Sequence, residues 1–109
     1  MTGCSVSTHK LCVAASMVGE GQSLAVDASG RSILICRSGG ALFAVENRCS
    51  HAQSRLEGGK IRQGVITCPL HGARFDLASG RCVNAALGYA PLETFRVREV
   101  DGRIEVELA

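Results

Sequence analysis

Two short segments of the chain each combine one cysteine with one histidine. Cys49 and His51 are two residues apart in "CSH", and Cys68 and His71 are three residues apart in "CPLHG". Sixteen residues separate the two pairs. Thiolate sulfur and imidazole nitrogen both bind borderline and soft metal ions. The four side chains therefore predict a metal centre with two sulfur and two nitrogen ligands.

The spacing within each pair favours one kind of metal centre over another. A structural zinc site usually takes both cysteines from one C-x₂₋₄-C turn, whereas each turn here supplies one Cys and one His. A loop with this pattern reaches two adjacent metal atoms, and a second loop repeats this from the opposite side. Two thiolates then bind one iron and two imidazoles bind its neighbour, which is the ligation of a Rieske [2Fe–2S] centre. A Cys₂His₂ zinc site is the alternative.

The rest of the chain must supply a rigid support for these loops, and its pattern is all-β. Short apolar or alternating runs are separated by glycine-rich turns. Asp101-Gly102 is a strong two-residue hairpin signal between two alternating runs. No segment carries a helical pattern of useful length. The predicted strands are 9–14, 22–27, 31–37, 41–46, 65–68, 73–77, 81–84, 92–99 and 102–108.

Residues 47–84 differ from the flanking strands because they are richer in loops and polar groups. This contrast predicts one domain over residues 1–109 with two parts. An antiparallel β-sandwich or barrel base would come from residues 9–46 and 85–108. A smaller inserted cluster-binding lobe would span residues 47–84, since distant chain ends commonly pair in antiparallel folds.

Composition narrows the classes of function. The chain has 109 residues, 46% of them hydrophobic, and a formal net charge of +2, which is too weak to indicate nucleic-acid binding. The apolar run "LCVAASMV" is far shorter than the roughly 20 residues of a spanning helix. It is also poor as a signal peptide, so we expect a cytoplasmic protein without a membrane segment.

The remaining cysteines and the third histidine have simpler interpretations. An even number of six cysteines suggests disulfides mainly in secreted proteins. Cys12 and Cys36 lie in apolar runs and are predicted to be core residues. Cys82 is predicted to pack after a turn, Cys4 lies in a polar terminal stretch, and His9 is predicted to be a surface residue.

Several motifs together resemble a known family. The boxes "CSH" and "CPLHG" resemble the two cluster-binding boxes of Rieske proteins. The segment "RLEGGKIRQGVITCPLHGARFDLASGR" is similar to the soluble Rieske-type [2Fe–2S] ferredoxins of bacterial aromatic-ring-hydroxylating dioxygenases. The segment "ALGYAPLETFRV" resembles the proline-containing loop, here with Pro91, that covers the cluster in that family. The resemblance extends roughly from Lys10 to Leu108 and implies the Rieske fold.

The resemblance implies a role for each of the four ligands. Cys49 and Cys68 would bind one iron, and His51 and His71 would bind the other through Nδ1. The Nε2 atoms would then face solvent, which makes the two imidazoles the expected exit for the electron. The neutral imidazoles also leave less negative charge on their iron, so that iron is expected to be the one that is reduced.

Two departures from the broader Rieske pattern distinguish this chain. High-potential members carry an extra disulfide between the boxes, but the matching positions here are Ser54 and Leu70. Those members also donate hydroxyl hydrogen bonds to the cluster from positions that are Ala73 and Phe75 here. The combination implies the low-potential ferredoxin type. Gly72 has two open explanations: a positive φ, or close approach of the backbone to a cluster sulfur.

The resemblance implies an electron carrier and not an enzyme. The chain would take one electron from a flavin-containing ferredoxin reductase and deliver it, as a monomer, to a terminal oxygenase. The alternatives are the ferredoxin of a diiron aromatic monooxygenase, the small subunit of a nitrite reductase, and a zinc-stabilised interaction module. The region around the boxes carries five basic and three acidic residues. The basic residues would either help docking to a partner or be merely solvated side chains. The basic residues are Arg48, Arg55, Lys60, Arg62 and Arg74, and the acidic ones are Glu46, Glu57 and Asp76.

Overall fold

The structure, a computed structural model, describes residues 10–28, 30–48, 55–69, 72–83 and 90–108. It confirms the prediction of an all-β fold. One 3₁₀ turn, Ala15–Met17, accompanies the strands in the described part of the chain. The strands are β1 (Lys10–Ala14), β2 (Ser23–Ala28), β3 (Arg31–Ser38), β4 (Ala41–Glu46), β5 (Ile61–Arg62), β6 (Val65–Thr67), β7 (Arg74–Asp76), β8 (Thr94–Val100) and β9 (Arg103–Glu107).

The strands form two antiparallel sheets of different size. Six strands in the order β1-β9-β8-β4-β3-β2 make a near-barrel sheet, and β5-β6-β7 make a small three-stranded sheet. Strand β1 pairs with β9 from Lys10 opposite Glu107 to Ala14 opposite Arg103, so distant parts of the chain lie side by side in the larger sheet. The division into a base and a lobe at the predicted residue boundaries stays a prediction.

Two details of the strand prediction differ from the structure. The predicted strand 81–84 is wrong over its described residues, because Cys82 makes only an isolated bridge to Phe75. The turn of residues 77–79 separates this bridge from β7, and Asp76 N–H donates to the carbonyl of Arg81 as the chain returns. Strand β5 was not predicted, since a two-residue strand has no alternation to detect.

Strand β3 is covered on both faces. Ile33 and Ile35 belong to a base core, whereas Leu34 and Cys36 belong to a lobe core. A strand buried on both sides has a continuous apolar sequence instead of an alternating one, which explains "ILIC". The base core contains Leu11, Val18, Ala28, Ile33, Ile35, Ala44, Ile104, Val106 and Leu108. The lobe core contains Leu34, Cys36, Val45, Leu56, Ile66, Cys68, Ala73, Phe75, Leu77 and Leu92.

The cysteine predictions had mixed outcomes. Cys36 is completely buried, and this burial raises the pKa of its thiol to about 12. Cys82 is half-buried and packs against the lobe core, as predicted. The prediction for Cys12 was wrong, because Cys12 is half-buried and disulfide-bonded. Successive residues of a strand face opposite sides, so burying Leu11 in β1 turns Cys12 outward.

A tight turn after β7 fixes the start of β8. Gly80 N–H donates to the Asp76 carbonyl at 2.7 Å, and Leu92 N–H donates to the Gly80 carbonyl at 2.7 Å. Gly80 has a φ of +79°, and a Cβ atom on it would overlap the carbonyl oxygen of Leu92. The segment before β8 therefore lies directly against this turn, and only glycine permits that approach.

We predict that Gly80→Ala destabilises the protein more than Gly40→Ala. Gly40 has a similar φ of +81° but open space around its Cβ position. Both variants incur the left-handed cost of roughly 1–2 kcal/mol. Only Gly80→Ala adds overpacking, which costs about 1–3 kcal/mol more. Urea unfolding of both variants measures the difference, and equal free energies of unfolding would contradict the close contact.

Candidate metal centre

One of the four predicted ligands lies in the described part of the chain. Cys68 directly follows β6, is 1% exposed and is not in a disulfide. Cys49, His51 and His71 lie outside the described residues. Among the residues that are described, no group of three or more His, Cys, Asp or Glu side chains is arranged to hold a metal ion. The ligand assignment therefore stays a prediction for all four residues.

The loop after Cys68 is closed by two backbone hydrogen bonds. Cys68 N–H donates to the Ala73 carbonyl at 2.7 Å, and Gly72 N–H donates to the Cys68 carbonyl at 3.1 Å. Gly72 has a φ of +75° with open space at its Cβ position, which supports positive φ as a reason for glycine here. These hydrogen bonds fix Cys68 and Ala73 at the base of the loop.

The base of the first loop is held by a buried amide, Asn47. This side chain is 3% exposed. Its Oδ1 accepts hydrogen bonds from the N–H groups of Leu56 at 2.9 Å and Glu57 at 3.0 Å. Its Nδ2 donates to Ser32 Oγ and to Glu57 Oε1, both at 3.1 Å. Asn47 therefore joins the two sides of the segment that contains Cys49 and His51.

Asn47 was not singled out from the sequence. Its only local signal is its position, directly after β4 and two residues before Cys49. An asparagine after a strand usually indicates an ordinary turn. Its partners Leu56 and Glu57 are nine and ten residues away, so the sequence alone does not reveal the contact.

Glu57 completes this hydrogen-bonded group. Arg55 Nη1 donates to Glu57 Oε1 at 2.9 Å. The hydrogen bonds from Arg55 and then from Asn47 lower the pKa of the Glu57 carboxyl below its usual value. The carboxylate is consequently charged at neutral pH. It accepts hydrogen bonds from both the Asn47 amide and the Arg55 guanidinium.

Described residues beside the two boxes meet at one end of the small sheet. Thr67 of β6 pairs with Arg74 of β7 next to Cys68 and Ala73. Val83 N–H donates to the Arg74 carbonyl at 2.7 Å, so the chain after β7 returns to the same place. Thr67 N–H donates to the Lys60 carbonyl at 3.0 Å, which brings in the segment that follows Leu56. Three segments of the chain are thereby held together around Cys68.

The surroundings of Cys68 suit a metal-bound thiolate. Ala73 and Phe75 are completely buried beside it in the lobe core and carry no hydroxyl. A buried thiolate is costly without a compensating cation, and metal coordination keeps a thiol deprotonated. A short loop with a buried cysteine at its base and a histidine within it fits the donor set of an iron–sulfur centre.

Comparisons with known proteins give a consistent result. The family model of the Rieske [2Fe–2S] domain matches residues 7–96. The ferredoxin subunit of anthranilate 1,2-dioxygenase from Burkholderia cepacia is 35% identical over 81 residues, 74% of either chain. The solved ferredoxin of carbazole 1,9a-dioxygenase from Nocardioides aromaticivorans IC177 is 29% identical. It has a TM-score of 0.81, with 92% of this chain and 97% of that chain covered.

A third similarity is to a chain solved within an assembly. That structure is a complex of reduced oxygenase and oxidized ferredoxin in carbazole 1,9a-dioxygenase. The matched chain is 29% identical, with a TM-score of 0.84 over 93% of this chain and 94% of that chain. The structural alignments thus extend over nearly the full length of both matched chains. Within the described residues, no helix is long and apolar enough to cross a membrane.

We predict that Asn47→Ala weakens both folding and retention of the [2Fe–2S] cluster. The variant leaves the N–H groups of Leu56 and Glu57 without their acceptor, which costs about 2–4 kcal/mol if each orphaned group costs about 1–2. Ser32→Ala, which removes one partner of the same amide, is the control and is expected to lose about 1 kcal/mol. Urea unfolding and iron per chain measure both effects. An Asn47→Ala protein no worse than Ser32→Ala would contradict the role of the amide.

Proposed function

Because the chain belongs to the Rieske [2Fe–2S] domain family, we propose that it is an electron-transfer ferredoxin of an aromatic-ring dioxygenase system. It takes one electron from a flavoprotein reductase and delivers it to the terminal oxygenase component. The observation that carries this proposal is the near-complete correspondence with a chain solved together with a dioxygenase's oxygenase component. When bound, the cluster supplies a site that gains and loses one electron.

The proposed ligands are Cys49 and Cys68 on one iron and His51 and His71 on the other. The position of Cys68 indicates which side of a bound cluster would face the protein. Its side chain is 1% exposed and belongs to the lobe core, so the cysteine side of a bound cluster would face the protein interior. The two histidines would then provide the accessible side, through which the electron would enter and leave.

The chain acts as a carrier and not as an enzyme, and it works as a monomer in the cytoplasm. Among the described residues, the exposed large hydrophobic side chains are Met17 and Val83, one in the 3₁₀ turn and the other after Cys82. Scattered single residues do not form the apolar patch that an obligate subunit interface requires. In this proposal residues 9–46 and 85–108 form the base, and residues 47–84 form the cluster-binding lobe.

Stopped-flow transfer between the purified components tests the function. The chemically reduced protein is mixed without oxygen with the oxygenase component encoded beside it, and the visible absorbance of both iron–sulfur centres is followed. We expect oxidation of this chain to match reduction of the oxygenase in a one-to-one ratio. Transfer to a diiron hydroxylase or a nitrite reductase instead would replace this proposal with one of those alternatives.

We predict that Cys68→Ser lowers the iron content from two atoms per chain towards zero, because a serine hydroxyl does not replace the thiolate. Loss of the cluster is also expected to loosen the lobe, since metal binding and folding are coupled. Cys82→Ser is the matched control, because Cys82 packs against the same core but is not a proposed ligand. Iron analysis and visible absorbance measure both variants. Two irons per chain in Cys68→Ser would contradict the ligand assignment.

We predict a reduction potential of about −150 mV, at the low end of the Rieske range. Ala73 and Phe75 do not donate side-chain hydrogen bonds that stabilise the added negative charge. A hydrogen bond to a charged group is worth about 1.5–3 kcal/mol. At 59 mV per tenfold change, Ala73→Ser is expected to raise the potential by roughly 60–130 mV.

Ala44→Ser is the control for this substitution. Ala44 is 2% exposed but lies in the base core, so its hydroxyl is buried away from the proposed ligands. We expect the potential of this variant to equal that of the unmodified protein in voltammetry. A native potential well above zero would contradict the ferredoxin proposal, and an equal shift in both variants would contradict the hydrogen-bond explanation.

A further inference from the structure

The three-stranded sheet has an apolar inner face and a basic outer face. Ile61, Ile66 and Phe75 are in register across the strands and contact the lobe core. Because side chains alternate along a strand, the neighbouring residues face outward. These outward residues are Lys60, Arg62, Val65, Thr67, Arg74 and Asp76, and the three basic ones are exposed.

The basic residues line one open groove. It has a volume of about 650 Å³. It lies between the small sheet and Gly21, which precedes β2 of the larger sheet. Its lining includes Lys60, Arg62 and Arg74, with Val65 and Thr67 between them. In the described part of the chain, no carboxylate lines this groove. The concave surface therefore concentrates positive charge.

The basic residues predicted as a docking group divide into two kinds. Arg48 pairs with Glu46 at 3.9 Å and Arg55 pairs with Glu57 at 2.9 Å, so these two positive charges are compensated within the chain. Lys60 and Arg62 pair with no carboxylate among the described residues. The field of the groove is therefore available to a partner, whereas the field around Arg48 and Arg55 is largely cancelled.

Two carboxylates that are close in sequence to groove residues accept hydrogen bonds from other parts of the chain. Glu20, next to Gly21, accepts hydrogen bonds from the backbone N–H groups of Gly39 and Gly40. These hydrogen bonds, that of Gly40 first, lower the pKa of the Glu20 carboxyl. Asp76 accepts hydrogen bonds from the backbone and hydroxyl groups of Ser79. Neither carboxylate makes an ion pair with Lys60 or Arg62.

The groove is continuous with the proposed electron-transfer site. Thr67 lines the groove and directly precedes Cys68. Arg74 also lines it, directly follows Ala73, and pairs with Thr67 in the sheet. A protein that contacts the loop between Cys68 and Gly72 would therefore extend over the edge of the groove.

We propose that this groove docks an acidic surface of the terminal oxygenase and steers its approach to the cluster. The proposal rests on the proposed function, because it names the surface through which that function would recognise its partner. Lys60 and Arg62 attract the partner's carboxylates at long range. Arg74 adds a positive charge at the edge of the groove, beside the loop that follows Cys68. Such steering raises association rates by 10- to 10³-fold at low salt and fades as salt screens the charges.

Charge reversal of a groove residue tests the proposal against a matched surface residue. Arg62→Glu is compared with Arg96→Glu on β8, because both arginines are exposed and neither pairs with a described carboxylate. The association rate of the reduced holoprotein with the oxygenase is measured at low and high salt. We expect Arg62→Glu to slow association about tenfold or more at low salt, Arg96→Glu to change it little, and high salt to remove the difference. Arg62→Lys, which keeps the charge, is expected to retain the rate.

Binding to poly-L-glutamate separates failure of the surface from failure of the function. We expect the unmodified holoprotein and Arg96→Glu to bind this acidic polymer at low salt and Arg62→Glu to bind it weakly. Normal transfer to the oxygenase by both Arg62→Glu and a Lys60→Glu, Arg62→Glu double variant would overturn the groove proposal and leave the function intact. Slowing with the reductase alone would overturn the choice of partner. Polymer binding without any transfer from the unmodified protein would overturn the proposed function and leave the basic surface standing.

Discussion

The burial of strand β3 on both faces is the constraint on which the rest of the structure depends. Its residues alternate between two cores, Ile33 and Ile35 in one and Leu34 and Cys36 in the other. The three-stranded sheet has strands of only two or three residues, and so small a sheet is marginal by itself. Packing its inner face against β3 and β4 supplies the missing apolar contact. The larger sheet thus stabilises the smaller one through a shared strand.

The loops that carry the boxes depend in turn on the lobe core and on polar contacts at their bases. Leu56 and Cys68 are buried in that core, which fixes one side of each loop. The Asn47 amide fixes the first loop with four side-chain hydrogen bonds, and short backbone bonds close the second. Because the described bases of both loops are already anchored, less of the chain would remain to be ordered when a metal centre binds.

Local sequence patterns predicted most of the larger sheet and the chemistry of the site. The two Cys-and-His pairs, the apolar run of β3 and the Asp101-Gly102 hairpin are all signals contained in a few consecutive residues. The features that were missed depend on contacts between distant residues. Strand β5 exists because of its partner β6, the bridge of Cys82 depends on Phe75, and Asn47 acts on residues across a loop. Cys12 was misassigned because an apolar run in the sequence does not indicate which face of an edge strand is buried.

The alternation of side chains in the small sheet separates two properties of one site. Inward residues such as Ile66 and Phe75 determine how the lobe packs around Cys68, whereas outward residues such as Arg62 determine the charge that a partner meets. Arg62 is exposed and is not part of the lobe core, so a substitution there is expected to leave the packing around Cys68 largely unchanged. A carrier of this design can change its electrostatic match to a partner without changing the surroundings of its metal ligands. In the proposed function, recognition and redox chemistry would therefore be adjusted by neighbouring residues on opposite faces of the same three strands.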